Sequence, residues 1–309
     1  MSNIYPRVYF KNKFIDFKEA NLSIGSAPVL YGLSSYTVIP VFLSEDKKSL
    51  NIFRLRDHFE RLINSSKILN FGDFISAYDY SRFEKIILRL LTENEIQNDS
   101  LIRVTVFVDE LLSGAKSIGL KNSLSVFIYP MTKLINKKGA DLMISSYRRT
   151  PDNSIPARAK VNGGYVNSAL AKNEAILNNY DDAIFLDQDG HLTESTISNI
   201  FLVRNNFLIT PPQNSDLLEG ITRSTVIDIA KENKIKVIQR TIDRTEIYLA
   251  DELFLSGSSL FIQPVFRVDH VNINNRNMGS ITNKISHLFR SLVRKNNSKN
   301  KWVLNKSIK

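Results

Sequence analysis

Three segments in the middle of the chain constrain its fold: a glycine-rich turn with a lysine, a strand with a carboxylate and a helix that begins at a glycine. In chain order they are Ala159–Tyr165, Leu192–Ser195 and Leu218–Arg223. Glycines let a planar ligand approach the lysine closely, and the N–H groups at a helix start bind phosphate. Together the segments predict a cofactor site in a chain of mixed helices and strands.

Each segment alone has an ordinary structural interpretation. A lysine before a glycine pair is typical of a surface turn, Glu194 of a solvated strand end, and Gly220 of any helix start. Their order and spacing favour a joint function. A lysine for aldehyde chemistry, an acid for a ring nitrogen and a phosphate cradle are what a protein contributes to pyridoxal phosphate chemistry.

Other motifs occur in the same order: Ile52–Leu62, Asp187–Glu194 followed by Ser198–Phe201, and Leu249–Ser258. With them the chain resembles the class IV aminotransferases from about Val8 to about Pro264. These fold-type IV pyridoxal phosphate enzymes include branched-chain amino acid aminotransferase, to which the resemblance is closest, D-amino acid aminotransferase and aminodeoxychorismate lyase. The resemblance implies an α+β fold of two domains, a small N-terminal α/β domain and a larger C-terminal domain with a mixed sheet or barrel.

The resemblance also implies roles in binding pyridoxal 5′-phosphate. Lys160 is expected to be the Schiff-base lysine and the proton shuttle between the substrate α-carbon and the cofactor. Glu194 would keep the ring nitrogen protonated, and Tyr165 would donate a hydrogen bond to the ring oxygen. The residues expected to hold the phosphate are Arg61, Ile221, Thr222 and Ser258.

Arg103 lies in the middle of the apolar run Leu101–Val108. Because an arginine in such a strand is costly unless it is paired, it either meets an internal carboxylate or faces a ligand. In the family, an arginine at this position can reach a distal substrate carboxylate. The residues expected to bind substrate are Tyr31, Tyr36, Arg103 and Ser259.

The chain departs from the branched-chain pattern on the substrate side. Branched-chain enzymes typically continue Tyr-Gly with Phe-Glu-Gly-x-Arg, whereas Leu33–Val41 contains no glutamate, glycine or arginine, and Asp109–Gly114 also differs. We expect an aminotransferase that moves an amino group between a small apolar amino acid and 2-oxoglutarate by a ping-pong route. The alternatives are an aminodeoxychorismate lyase, a D-amino acid aminotransferase, and a noncatalytic cofactor- or nucleic-acid-binding homologue.

Composition supports an enzyme with a substantial core. The chain has 309 residues, of which 43% are hydrophobic, and it contains no cysteine, which excludes disulfides and thiolate metal sites. Its four histidines lack ligand spacing, so we expect no metal. No run approaches the roughly 20 apolar residues of a membrane span, and the N-terminus lacks a signal-peptide pattern, so we expect a cytoplasmic protein.

The net charge of +10 raises the question of nucleic-acid binding. Much of that charge lies in Arg290–Lys309, and the aromatic residues are not interleaved with a basic stripe. We therefore expect a solvated basic tail, in which Trp302 could dock on the body or a partner, and no nucleic-acid partner. Small-molecule amino acids and 2-oxo acids are the expected partners, and the resemblance alone implies a homodimer.

The predicted domains are 1–147, a linker and active-site loop at 148–162, a large cofactor-binding domain at 163–295 and the tail at 296–309. In the first domain we predict a hairpin that turns at Lys11–Lys13 and helices at 56–69 and 81–95. The run Leu142–Tyr147 is predicted as the last strand of that domain.

Overall fold

The computed structural model describes residues 4–132, 134–135, 138–295 and 301–308. The strands are β1 Arg7–Phe10, β2 Lys13–Asp16, β3 Ser34–Leu43, β4 Ser49–Phe53, β5 Ser100–Val108, β6 Asn122–Pro130, β7 Ala140–Arg148, β8 Asp182–Leu186, β9 Leu192–Ser195, β10 Asn199–Arg204, β11 Phe207–Thr210, β12 Val237–Gln239, β13 Glu252–Gly257, β14 Phe261–Val268, β15 Val271–Asn272 and β16 Val303–Ser307. The α-helices are α1 Ala27–Tyr31, α2 Leu55–Ile68, α3 Gly72–Ala77, α4 Tyr80–Glu93, α5 Tyr165–Leu177, α6 Ile221–Glu232 and α7 Ser280–Arg294, and three 3-10 helices span Phe17–Glu19, Arg244–Leu249 and Asn274–Arg276.

The chain forms two compact units. The first comprises Met1–Thr132, Ala159–Gly163 and Leu292–Lys309, and the second comprises Lys133–Arg158 and Gly164–Ser291. In the first unit, seven antiparallel strands follow the order β16-β4-β3-β5-β6-β1-β2. Apolar residues of α2 and α4 join the sheet in one core. The predicted hairpin is present, and its turn residues Lys11 and Asn12 both have positive φ.

The C-terminal residues correct the expectation of a solvated tail. β16 pairs with β4 over five residue pairs, from Val303↔Phe53 to Ser307↔Ser49. Trp302, just before β16, is 8% exposed, and its carbonyl accepts a hydrogen bond from the backbone N–H of Arg54 at 2.7 Å. Asn305 and Lys306 therefore belong to an edge strand, where a charged side chain also discourages pairing with other chains. Residues 296–300, also in the predicted tail, lie outside the described residues.

A closed barrel organises the second unit. Its six strands run β10-β13-β14-β7-β8-β9 and return to β10, while β11 and β12 extend the sheet from β10. The β14–β7 and β7–β8 pairs are parallel and the other pairs of the ring are antiparallel, so the barrel is mixed. The ring closes at a single residue pair, Asn199↔Glu194. Small residues of α5, Ala171 and Ala175, pack against β8.

The division into units differs from the boundaries drawn on the sequence. β7 belongs to the second unit, because it pairs with β14 and β8 of the barrel. The lysine segment Ala159–Gly163 belongs to the first unit, whereas 159–162 was predicted as linker and Gly163 as the start of the cofactor-binding domain. Both differences depend on pairing between residues distant in the chain, which local pattern does not encode. Among the described residues, no helix has the length and apolar character needed to cross a membrane.

Candidate functional site

Backbone pairing with β3 holds the lysine segment in the first unit. The N–H of Tyr36 donates to the carbonyl of Lys160 at 2.9 Å, and the N–H of Asn162 donates to the carbonyl of Ser34 at 2.9 Å. β4 pairs with β3 only from Val41 to Leu43, so this edge of β3 has backbone groups available for the segment. On α2, the hydroxyl of Ser65 accepts from the N–H of Lys160 at 3.1 Å.

Gly32 allows the lysine segment to approach so closely. It has a φ of +66°, a conformation that L side chains rarely adopt, and a Cβ there would lie 2.9 Å from Cα of Gly163. The backbones of Gly32 and Gly163 thus make a contact that a side chain at Gly32 would prevent. Gly32 is therefore needed for packing the lysine segment within the first unit.

Cations surround the ring of Tyr36. Lys160 Nζ lies 4.8 Å from the ring centre, and the guanidinium carbon of Arg103 lies 3.8 Å from it. Arg103 is paired with Val38 on the neighbouring strand, so its side chain shares a sheet face with Val38 and Tyr36. Arg103 Nη2 donates to the amide oxygen of Asn162 at 2.7 Å, and no described carboxylate forms an ion pair with Arg103.

Arg61 shares one face of α2 with His58 and Ser65. Their spacing of three and four residues places them on one side of the helix. Arg61 Nη2 donates to the hydroxyl oxygen of Thr37 at 3.0 Å, and His58 Nδ1 lies 2.7 Å from the same oxygen. We call Lys160, Arg61 and Arg103, with Tyr36, Thr37, His58 and Asn162, the cation cluster.

His58 is an uncharged member of the cation cluster. It is fully buried, and burial lowers the pKa of its imidazole well below the ordinary value of 6.5. The positive charges of Arg61, Arg54 and Lys160 lower this pKa further. The imidazole therefore acts as a neutral hydrogen-bonding group beside two arginines and a lysine.

Glu194 is the centre of the second unit's site residues. Its side chain is 7% exposed, and Oε1 lies 3.0 Å from Nη2 of Arg149. Oε2 accepts from the amide of Asn199 at 3.1 Å and from the N–H of Leu218 at 3.2 Å. We call Glu194, Arg149, Asn199 and Leu218 the carboxylate cluster. It lies at the pair that closes the barrel, so strand pairing and side-chain bonds fix the same carboxylate.

The start of α6 has the features of a phosphate site. The side-chain amide of Asn199 also donates to the carbonyl of Leu218 at 2.9 Å. Residue 220 is a glycine at this point, because a Cβ there would overlap the side-chain amide of Asn199. No side chain caps α6, and Thr222 is 2% exposed with a hydroxyl that has no hydrogen-bond partner among the described residues. A buried hydroxyl and uncapped N–H groups at a twelve-residue helix fit a bound phosphate.

The remaining predicted residues lie on other elements. Ile221 and Tyr165 are the first residues of α6 and α5, and Tyr165 is half-buried. Ser258 and Ser259 follow β13 and are half-buried. Tyr31 ends α1 and is 44% exposed. In the first unit, the structure thus places Lys160 and Arg103 beside Tyr36, and Arg61 beside the neighbouring residue Thr37. Tyr31 has no described hydrogen bond or ring contact with them.

Sequence reasoning missed the partners that orient these residues. Thr37, Asn162, Arg149 and Asn199 were not assigned roles, although Asn162 and Asn199 lie inside the quoted motifs. The buried Arg223, also in a motif, donates to the carbonyl of Pro211 at 2.7 Å and to Gln239 at 3.0 Å. It thereby anchors residues that precede α6. The position of Asn162, Asn199 and Arg223 inside the matched motifs was the feature of the sequence that could have indicated their roles.

Comparisons with known proteins identify the family. The family model described as amino-transferase class IV matches residues 41–268. A probable branched-chain-amino-acid aminotransferase of Aquifex aeolicus is 36% identical over 288 residues, 93% of this chain and 92% of that protein.

Solved structures show the same fold. The branched-chain aminotransferase of Thermoproteus uzoniensis with norvaline has a TM-score of 0.91 and 32% identity, and the match covers 97% of this chain and 99% of that one. The T.th. branched-chain amino acid aminotransferase complexed with N-(5′-phosphopyridoxyl)-L-glutamate has a TM-score of 0.89 and 29% identity, with 97% and 98% covered. The chain belongs to the class IV aminotransferases, and it is a fold-type IV transaminase whose cofactor is pyridoxal phosphate.

Proposed function

We propose that this enzyme moves an amino group between a small apolar, branched-chain-like amino acid and 2-oxoglutarate by a ping-pong route. The observation that carries the proposal is the position of Lys160 beside the ring of Tyr36 and the guanidinium of Arg103. An aromatic ring suits an apolar substrate side chain, and a cation suits the second carboxylate of 2-oxoglutarate. The names of relatives, which include branched-chain enzymes crystallised with norvaline and with a glutamate adduct, support both substrates.

Lys160 is the residue to which we assign covalent attachment and proton transfer. When bound, pyridoxal phosphate supplies an aldehyde carbon for amines and an electron-withdrawing ring. The Lys160 amine would move a proton from the substrate α-carbon to C4′ of the cofactor in the first half-reaction and in the opposite direction in the second. General acid–base help of this kind contributes roughly 10² to 10⁴-fold. Bonds from the Lys160 backbone to β3 and α2 hold its Cα in place for this task.

The other assigned residues bind and orient. Arg61 would meet the phosphate with a full positive charge, and the start of α6 would add the N–H groups and hydroxyl of Ile221 and Thr222, with Ser258 contributing a further hydroxyl. Glu194 would pair with the protonated ring nitrogen, and three donors already hold its carboxylate in one orientation. Tyr165 would donate to the ring oxygen.

An exposed apolar surface in the first unit supports the proposal of a homodimer. Two backbone hydrogen bonds join segment 24–30 to segment 110–112. The N–H of Ala27 donates to the carbonyl of Glu110 at 3.2 Å, and the N–H of Leu112 donates to the carbonyl of Gly25 at 3.1 Å. The segments expose large apolar side chains, namely Ile24 at 87%, Val29 at 56%, Leu30 at 44%, Leu111 at 62% and Leu112 at 80%. A contiguous apolar surface of this kind is typical of protein interfaces. We infer that a second copy of the chain covers it.

The absorbance of the bound cofactor tests the reaction. We expect leucine and glutamate each to convert the lysine-bound cofactor to its amino form in the absence of any oxo acid, as a ping-pong route requires. Lys160→Ala should fold, lack the absorbance of covalently held cofactor and show negligible transamination. Lys67→Ala, which removes an exposed lysine of α2, is the control and should behave like wild type. Conversion by D-alanine alone, or substantial turnover by Lys160→Ala, would contradict the proposal.

Sedimentation tests the homodimer. The wild-type protein should sediment as a dimer, and Leu112→Glu should shift it toward monomer because the substitution places a charge on the apolar surface. A control charge at Leu177, which is 82% exposed on α5, should leave the sedimentation unchanged. A fully active wild-type monomer would refute the dimer while leaving the reaction standing.

A further inference from the structure

Asn162 connects the lysine segment to Arg103 through its side chain. Its amide oxygen accepts from Arg103 Nη2 at 2.7 Å, and its amide nitrogen donates to the hydroxyl of Ser34 at 2.7 Å. Its backbone N–H donates to the carbonyl of Ser34 at 2.9 Å. Three hydrogen bonds therefore fix Asn162 relative to β3 and β5.

Chemistry determines the orientation of this amide. A guanidinium only donates hydrogen bonds, so the oxygen of Asn162 must face Arg103 and its nitrogen must face Ser34. The hydroxyl of Ser34 can accept that bond. The guanidinium carbon of Arg103 lies over the ring of Tyr36, 3.8 Å from its centre, and the bond to Asn162 fixes the position of Nη2.

An amide and a carboxylate would have different consequences at position 162. Both can accept from Arg103, but only a carboxylate would neutralise its charge. Asn162 occupies Nη2 and leaves Nε and Nη1 of Arg103 without a described acceptor. Arg103 is thus held in position while it keeps its positive charge and part of its donor fork.

We propose that Asn162 is a positioning residue that holds Arg103 as a fixed, unneutralised cation for the second carboxylate of a dicarboxylate substrate. Asn162 thereby sets the preference for glutamate and 2-oxoglutarate over monocarboxylates as partners in the second half-reaction. The inference rests on the proposed function, which assigns a dicarboxylate to this enzyme. It adds the residue that makes the arginine selective.

Binding of unreactive acids to the holoenzyme tests this role without turnover. Calorimetry would compare glutarate, which has two carboxylates, with 4-methylvalerate, which has one. In Asn162→Asp we expect the affinity for glutarate to fall about ten-fold or more, since about 1.4 kcal/mol corresponds to a factor of ten. The affinity for 4-methylvalerate should change less than about three-fold, because that acid does not need Arg103.

Two further variants control for charge and folding. Asn162→Ala keeps the charge of Arg103 and loses only its fixed orientation, so glutarate should weaken less than in Asn162→Asp. Asn173→Asp adds the same charge at an exposed position of α5 and should change neither affinity. Thermal unfolding with bound cofactor should show that each variant is folded.

The outcomes separate the inference from the proposed function. Unchanged glutarate affinity in folded Asn162→Asp, or equal losses for both acids, would overturn the role of Asn162. A wild-type enzyme that fails to transaminate leucine with 2-oxoglutarate would overturn the proposed function. If glutarate binding to that enzyme were still weakened selectively by Asn162→Asp, the inference would stand as a statement about dicarboxylate recognition.

Discussion

In the cation cluster the guanidinium groups of Arg61 and Arg103 donate to a hydroxyl and an amide, whereas in the carboxylate cluster Glu194 accepts from a guanidinium. Neutral acceptors orient a cation without removing its charge, so the first unit keeps positive charge available for phosphate and carboxylate groups. A cation, an amide and a backbone N–H instead donate to the carboxylate and fix its direction. The difference predicts that substitutions in the first unit change ligand affinity and substitutions around Glu194 change stability.

The largest expected loss of stability is in Arg149→Met. The side chains of Arg149 and Glu194 are 15% and 7% exposed, so the variant leaves a buried carboxylate without its cation. Removing one partner of a buried pair costs about 3 kcal/mol or more. Unfolding in urea measures this loss against Arg148→Met, which removes an exposed arginine next to it. Equal stability of the two variants would mean that solvent, and not Arg149, compensates Glu194.

Trp302→Ala extends the comparison to a support of the cation cluster. Trp302 is 8% exposed, and the backbone N–H of Arg54, at the start of α2, donates to its carbonyl at 2.7 Å. Removing a buried aromatic side chain costs about 3 kcal/mol. Because α2 carries Arg61, we also expect weaker pyridoxal phosphate binding, measured by fluorescence titration. Ser307→Ala, at an exposed position of β16, is the control. A loss of stability with unchanged cofactor affinity would show that the C-terminal strand supports the fold alone.

Trp302 also marks where the sequence stops predicting the fold. The spacing of apolar residues predicts α2, α4 and β5, each of which has a continuous apolar face. The resemblance to the family predicts the barrel. β16 was missed because 303–307 has the composition of a solvated tail, and its pairing depends on the free edge of β4, some 250 residues earlier in the chain. β7 was placed in the wrong unit for the same reason, since its partners are β14 and β8.

In the site, too, local sequence predicts individual residues but not the contacts between residues distant in the chain. Motifs identified Lys160, Arg61 and Glu194, and the structure gives each a well-defined environment within its unit. Their roles toward the cofactor remain predictions. The side chains that orient them could not be predicted, because the Arg61–Thr37 and Arg103–Asn162 bonds join residues 24 and 59 positions apart. Only the register of β3 against the lysine segment and the rotation of α2 bring those residues together.

Thr37→Val is expected to separate phosphate binding from ring binding. The variant keeps the shape of residue 37 but leaves Arg61 Nη2 without this acceptor and His58 Nδ1 without this hydrogen-bond partner, which costs about 2 kcal/mol for buried groups. If Thr37 acts through Arg61, affinity for pyridoxal phosphate should fall and affinity for pyridoxal, which lacks the phosphate, should not. Fluorescence titration with both compounds measures the split. Thr37→Ser keeps the hydroxyl and is the control; parallel losses for the two compounds would contradict a role at the phosphate.

The smallest expected effect is a pH dependence of stability from His58. The folded protein keeps this imidazole neutral because its pKa lies well below 6.5, whereas the unfolded chain binds a proton as the pH falls through 6.5. Fewer protons on the folded state mean that stability is complete above pH 6.5 and falls below it, by up to about 1.4 kcal/mol per pH unit.

His58→Gln should flatten the fall in stability between pH 6.5 and 5, measured by urea unfolding at each pH, while His287→Gln, at an exposed position of α7, should not. Such flattening would show that the neutral state of His58 is maintained at a cost in free energy. An unchanged slope would mean that the cation cluster tolerates a charged imidazole. In that case the contrast with the carboxylate cluster would rest on Thr37 and Asn162, the neutral acceptors described for Arg61 and Arg103.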